Sequence, residues 1–185
     1  MKRLLITCLP ILFTLATGCE LINDSDLTAT GDYDWAHQLA DDYITSNFSE
    51  EAVLTNVESA LLDDRGCLFN RHPHSYWYFN YIVSDFEVIL FVYSNGQISA
   101  TILDDPYPND GFSYDINSES IISWIDLASY YYRYLTGRTN DEYYMLYCHG
   151  YSDTLYISLY NDELTALCFI RMDPINGQLE KLYIY

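Results

Sequence analysis

Apolar and polar positions alternate with two different periods along this chain, and the period changes mark its elements. In residues 33–47 Trp35, Leu39 and Tyr43 recur at spacing four, with Ala36 and Ala40 beside them, which predicts a helix. Residues 50–63 predict a second helix. Ser49 suits the cap, Glu50 and Glu51 suit the first turn, and Val53, Leu54, Val57 and Leu61 form one apolar face. β-rich runs follow at 76–83, 87–93 and 97–103. Asn95-Gly96 between the last two is a hairpin signal, because a type I′ turn needs positive φ at both central residues. Two prolines and several aspartates make 104–111 irregular. Ile121, Ile125, Ala128, Tyr132 and Leu135 then form a helical stripe over 119–136, with Gly137 as its stop. Four more strands are predicted at 142–149, 153–160, 163–172 and 178–185, with turns at Asn161-Asp162 and Asn176-Gly177.

The class is therefore α+β, helices packed on an antiparallel sheet, in the order ααβββ-αββββ. That order reads as a duplicated helix-plus-meander unit. Ser49-Glu50 and Ser118-Glu119 open the last helix of each half.

Two-residue turns would fix the register of the last strands. Tyr160 then faces Glu163, Leu155 faces Cys168, and Phe169 faces Ile184. One face carries Leu155, Ile157, Leu159, Ala166, Ile170, Tyr183 and Tyr185, and is expected against the 119–136 helix. The other carries Tyr156, Ser158, Tyr160, Thr165, Phe169, Arg171, Leu182 and Ile184, so neither face is polar. The first helical pair is the expected cover for this second face. Left uncovered, Tyr156, Ser158, Tyr160, Phe169 and Arg171 are a candidate binding face, since exposed apolar patches and interface-prone Tyr and Arg mark recognition surfaces.

Charge narrows the partners. The chain holds 27 acidic and 8 basic residues, a net charge of −19 at pH 7. That excludes nucleic acid and anionic lipid surfaces as natural partners. With 50% hydrophobic residues and 20 tyrosines, the composition is that of a folded domain.

The N-terminus adds an address. Lys2 and Arg3 precede an apolar run from Leu4 to Leu15, too short to span the roughly 30 Å bilayer core. Ala16-Thr17-Gly18-Cys19 follows, and this leader resembles a bacterial lipoprotein signal ending in a lipobox. Ala16 stands where leucine is usual. The resemblance implies removal of residues 1–18, lipidation of Cys19 with diacylglycerol and palmitate, and anchorage in the cell envelope facing outside the cytoplasm. Losing Lys2 and Arg3 makes the mature chain two units more negative. Residues 19–31 then form a polar tether of at most roughly 40 Å, and 32–185 a single domain. Near the C-terminus, Asp173-Pro174-Ile175-Asn176-Gly177 resembles the closing hairpin of PepSY-type modules, and also suits an ordinary tight turn.

Catalytic signals are sparse. His72-Pro73-His74 is the one close histidine pair, with His37 and His149 elsewhere, and no zinc-binding spacing surrounds it. Asp104, Asp105, Asp110 and Asp115 could offer hard oxygen ligands, but not at EF-hand spacing. No P-loop, nucleophile elbow or dinucleotide fingerprint occurs. Cys67, Cys148 and Cys168 allow at most one internal bridge. If 150–152 is a three-residue loop, Cys148 and Cys168 fall on opposite faces, two strands apart, beyond disulfide reach. Cys67 has no assigned partner.

The sequence thus points to an envelope lipoprotein that binds protein, peptide or glycan, with neither catalysis, cofactor nor metal. Its alternatives are a hydrolase using His72 and His74 or the 104–115 loop, and an enzyme inhibitor or envelope assembly factor.

Overall fold

The computed structural model describes residues 31–48, 51–69, 75–104, 111–138, 143–150, 154–161 and 163–185. The elements are α1 (Tyr33–Asn47), β1 (Ala52–Ala60), β2 (Tyr76–Val83), β3 (Phe86–Tyr93), β4 (Ile98–Asp104), α2 (Ser118–Thr136), β5 (Tyr143–His149), β6 (Thr154–Tyr160), β7 (Ala166–Met172) and β8 (Leu179–Ile184). The fold is α+β, with one eight-stranded sheet of order β4-β3-β2-β1-β5-β6-β7-β8 and every neighbouring pair antiparallel. Each half runs helix then four-stranded meander. The halves join where β1 pairs with β5 at Asn56–His149, Val57–Cys148 and Glu58–Tyr147.

The predicted second helix is the main error of the sequence reading, because 52–60 is a strand at the centre of the sheet. Ser49 and Glu50, its expected cap, lie outside the described residues. The stripe Val53/Leu54/Val57/Leu61 overlaps an alternating series, and over so short a segment the two periods look alike. Tertiary pairing decides between them. β1 is hydrogen-bonded on both sides, and the β-branched Val53, Thr55 and Val57 suit a pleat better than a helix. Leu61, at φ 59°, ends the strand. The order is therefore αββββ-αββββ.

α1 starts on Asp32, whose carboxylate accepts from the Trp35 amide at 2.9 Å. It buries Tyr33, Ala36, Ala40 and Ile44. The small alanines let the helix lie close on β2 and β3, and Tyr33 meets Trp77 edge-on at 5.5 Å. Trp35 is turned away from this stripe, toward Gly31 and the Gly96 turn. α2 opens on a capping box between Asn117 and Ser120, not on Ser118-Glu119, and closes on Gly137 at φ 68°. It buries Ile121, Trp124, Ile125, Ala128 and Tyr132, but Leu135 stays 52% exposed.

Turn lengths correct the predicted registers. Only Gly96 has positive φ in the β3–β4 hairpin, so that turn is a three-residue loop with a left-handed glycine, not type I′. Between β6 and β7 the turn is longer than two residues, because the Asn161 side chain accepts from the Glu163 and Thr165 amides. Cys168 consequently faces Leu159, not Leu155. That four-residue slip is even, so the assigned faces survive from Leu155 to Leu159 and from Cys168 to Arg171, but a bulge at Leu159/Tyr160 sets Ala166 opposite Tyr160, not on the Leu155 face. Between β7 and β8 the Asp173 carboxylate accepts from the Ile175 and Asn176 amides, and a bulge at Arg171/Met172 shifts β8 by one. Phe169 faces Tyr183 rather than Ile184, and an odd slip exchanges faces. Tyr183 joins the Tyr156 face, and Leu182 and Ile184 join the Leu155 face. Cys148 also changes side. It faces Leu155 and is fully buried on the helix-covered face, and none of the three described cysteines is in a disulfide.

Candidate functional site

Both helices pack on the same face of the sheet. α1 stacks on Trp77 and Phe79, and on α2 Ser129 hydrogen-bonds Tyr144 of β5. The expectation that a first helical pair covers the second face fails, because one member of that pair is strand β1. No described helix or strand lies over the second face. This face carries half-buried aromatic side chains from five strands: Tyr76 and Tyr78 of β2, Phe91 and Tyr93 of β3, Tyr147 of β5, Tyr156 and Tyr160 of β6, and Phe169 of β7, with exposed Tyr183 on a sixth, β8.

The five residues singled out from sequence are brought together here. Phe169 stacks on Tyr156 with centroids 5.4 Å apart, and the row continues to Tyr183 at 6.2 Å and Tyr147 at 6.0 Å. The Arg171 guanidinium lies 5.8 Å from the Tyr156 ring centre, within cation–π range, and is held by Glu180 at 2.6 Å. Ser158 sits between Met145 and Phe169 in the ladder. An open groove of about 400 Å³ runs over this region, bounded by Glu58, Met145, Tyr147, His149, Tyr156, Tyr160 and Phe169. Aromatic rings share its walls with Glu58, Ser59, His149 and Ser158, so rings and polar groups converge on one groove.

A second row was not singled out from sequence. Tyr76 and Tyr78 each meet Phe91 edge-on at 5.3 Å. Their alternation, Tyr76/Tyr78 against Phe91/Tyr93, was visible as period two. What hid its meaning was the helical reading of 50–63, which left no strand to join it to the β5–β8 row.

β1 makes that junction and places Glu58 at its centre. Glu58 faces Tyr78 on one side and Tyr147 on the other. Burial raises its pKa above the ordinary glutamate value. Burial and the nearby Glu58 and Glu87 push the Tyr78 phenol up to about 12. Glu87 accepts from the Asn80 side chain. His149 is lowered by burial and is therefore neutral at pH 7.

The remaining candidates are dispersed. His72, His74, Asp105 and Asp110 lie outside the described residues, as does Cys19. Asp104 and Asp115 are exposed. His37 stacks on Tyr33 and Phe79, away from His149. Among the described residues no three His, Cys, Asp or Glu side chains cluster as metal ligands, and no helix is long and apolar enough to cross a membrane. A second cavity of about 440 Å³ lies against α2, with Asp64, Asp126, Ser129, Arg133 and Tyr144 in its wall but no histidine or cysteine. Comparison with protein-family models, with curated proteins and with solved structures finds no match for this chain.

Proposed function

We propose that this protein is a lipid-anchored module of the bacterial cell envelope that binds a partner through the aromatic face of its sheet, without catalysis. The supporting observation is that face itself. Both described helices occupy one side, and the other carries two aromatic rows, on β2–β3 and on β5–β8, flanking Glu58 of β1. Monomeric proteins rarely leave so much contiguous apolar surface without a use, and tyrosine contributes large contact area with little side-chain entropy to lose. Protein, peptide and glycan all suit tyrosines, and an enzyme inhibitor or assembly factor would use the same face. The repeated αββββ order supports duplication of one helix-plus-meander unit, which widens the face from four strands to eight.

The anchor is the second half of this reading and rests on the leader resemblance. Radioactive palmitate should label the wild-type chain and not Cys19→Ala; an unlabelled wild type removes the anchor. For the face, a photo-crosslinking residue is placed at Phe169 and, separately, at Ser123, which is exposed on α2. In intact cells a discrete adduct should form from position 169 and not from position 123. Equal adducts from both positions, or none from 169, defeat the proposal.

A further inference from the structure

We infer that Glu58 and its tyrosine neighbours form a subsite for a basic side chain, lysine or arginine, presented by a protein partner. The inference rests on the proposed use of the aromatic face and names what that face recognises.

Glu58 lies on the central strand. Directly across the ladder stand Tyr78 and Tyr147, and diagonally Tyr76 and Met145. Along its own strand Ala60 fills little space above the sheet. The result is a carboxylate between two phenol rings, at one end of the groove that leads to Tyr156 and Phe169. A cation entering there would meet a negative charge and two ring edges or faces at once. Electrostatic and cation–π attraction reinforce each other in such a site.

Nothing among the described residues satisfies this charge from within. Among the described residues Glu58 makes no ion pair and accepts no hydrogen bond. The cations of the same face are committed or distant. Arg171 pairs with Glu180 three strands away, about 14 Å by strand spacing. Lys181 lies beyond it on the edge strand. His149, the nearest titratable base, is neutral at pH 7. Glu87 adds a second carboxylate on the neighbouring side. Among the described residues, the centre of this aromatic-rich face thus holds a negative charge that no cation compensates.

Burying a lone carboxylate on a face with no structural use for it destabilises the free protein. A basic side chain arriving from a partner relieves that cost on binding. The net charge of −19 favours the same class of partner at longer range.

The test uses the full chain in non-ionic detergent, with ¹³C-labelled tyrosine rings followed by NMR. The probes are a blocked Ala-Ala-Lys-Ala-Ala peptide and its norleucine counterpart, which keeps the stem and lacks the ammonium. The lysine peptide should shift the Tyr78 and Tyr147 rings saturably, and norleucine should not. Glu58→Gln should weaken lysine-peptide binding about fivefold or more. Tyr147→Leu should weaken it as well, while Asp42→Asn, which removes an exposed charge on α1, should change it less than twofold by screening alone. Unchanged affinity in Glu58→Gln, equal binding of norleucine, or shifts spread over the whole surface each overturn the inference. If position 169 still crosslinks in cells when Glu58→Gln proves neutral, only the cation subsite falls. If Glu58-dependent lysine binding appears without any crosslink, the wider face proposal falls instead.

Discussion

Phe169 lies against Tyr156 as a diagonal pair across the β6–β7 ladder, with ring planes 27° from parallel. Arg171 stands directly opposite Tyr156 and over its ring, so Tyr156 is held from two sides by the same strand. This geometry fixes a flat aromatic patch without any cover from the helices.

Because Phe169 is only half buried, truncating it should cost the fold little and the surface much. Phe169→Ser forfeits its ring contacts with Tyr156 and Tyr183 and part of a ring's burial, about 1–2 kcal/mol in urea unfolding. Binding of a hydrophobic fluorescent dye to the native protein should fall clearly. Dye binding equal to wild type would mean that the patch is not the accessible surface described above.

That patch was partly legible in the sequence. Period-two alternation placed Tyr156, Ser158, Tyr160, Phe169 and Arg171 on one side, and the β6–β7 register error of four residues left their face intact because it was even. The β7–β8 error was odd and moved Tyr183 across the sheet. A bulge at Arg171/Met172 caused that slip, and no residue type announces a bulge there. The larger failure was β1. Its residues satisfy both a helical and a strand template, and only pairing with β2 and β5 selects the strand. With β1 read as a helix, the centre of the sheet, Glu58 and the uncovered state of the second face were all out of reach. The cysteines show the same dependence, since Cys148 took the wrong face from an assumed three-residue loop.

The three described thiols should differ sharply in reactivity. Cys148 and Cys168 are fully buried on the helix-covered face, and burial pushes the Cys148 thiol far up. Cys67 is only partly buried, and burial with Asp63 and Asp32 nearby pushes it up to about 11. Thiolate is the reactive form, so even Cys67 should react slowly at neutral pH and faster as pH approaches 11. In a chain that starts at residue 19 and carries Cys19→Ser, so that Cys8 is also absent, a thiol reagent should modify Cys67 first, and Cys148 and Cys168 only with global unfolding. Rapid modification of Cys148 in the native protein would contradict the assigned register of β5.

Two buried tyrosines, Tyr132 on α2 and Tyr144 on β5, predict opposite responses to losing their hydroxyl. Tyr132 is 0% exposed and its hydroxyl has no hydrogen-bond partner. Tyr132→Phe removes a buried polar group that gains nothing, and should raise stability by about 1 kcal/mol. The Tyr144 hydroxyl hydrogen-bonds Ser129, joining α2 to β5 inside the core. Tyr144→Phe leaves Ser129 without that partner and should cost about 1–3 kcal/mol. Melting temperatures of the two variants should therefore lie on opposite sides of wild type, and a shift of both in one direction would refute the assignment.

Glu58 makes the stability of the free protein depend on pH in a direction opposite to that of a paired carboxylate. Its folded pKa is raised above the ordinary 4.5 by burial. Between 4.5 and the raised value, the folded protein holds a proton that the unfolded chain has already released. Stability from this group is therefore lost as pH rises through that window and stays lost above it. The groups around Glu58 do not reverse the sign: burial raises the Tyr76 and Tyr78 phenols and disfavours the charged form of His149, Tyr147 stands opposite on β5, and Glu87 lies farther along the same side of the sheet. Glu58→Gln abolishes the titration. Its stability margin over wild type in urea unfolding should be smallest below pH 4.5, grow through the window, and level off above it. Comparing the two proteins at each pH cancels the other carboxylates. A margin that shrinks as pH rises would mean that the folded protein stabilises the Glu58 carboxylate, and that its charge is already satisfied without a partner.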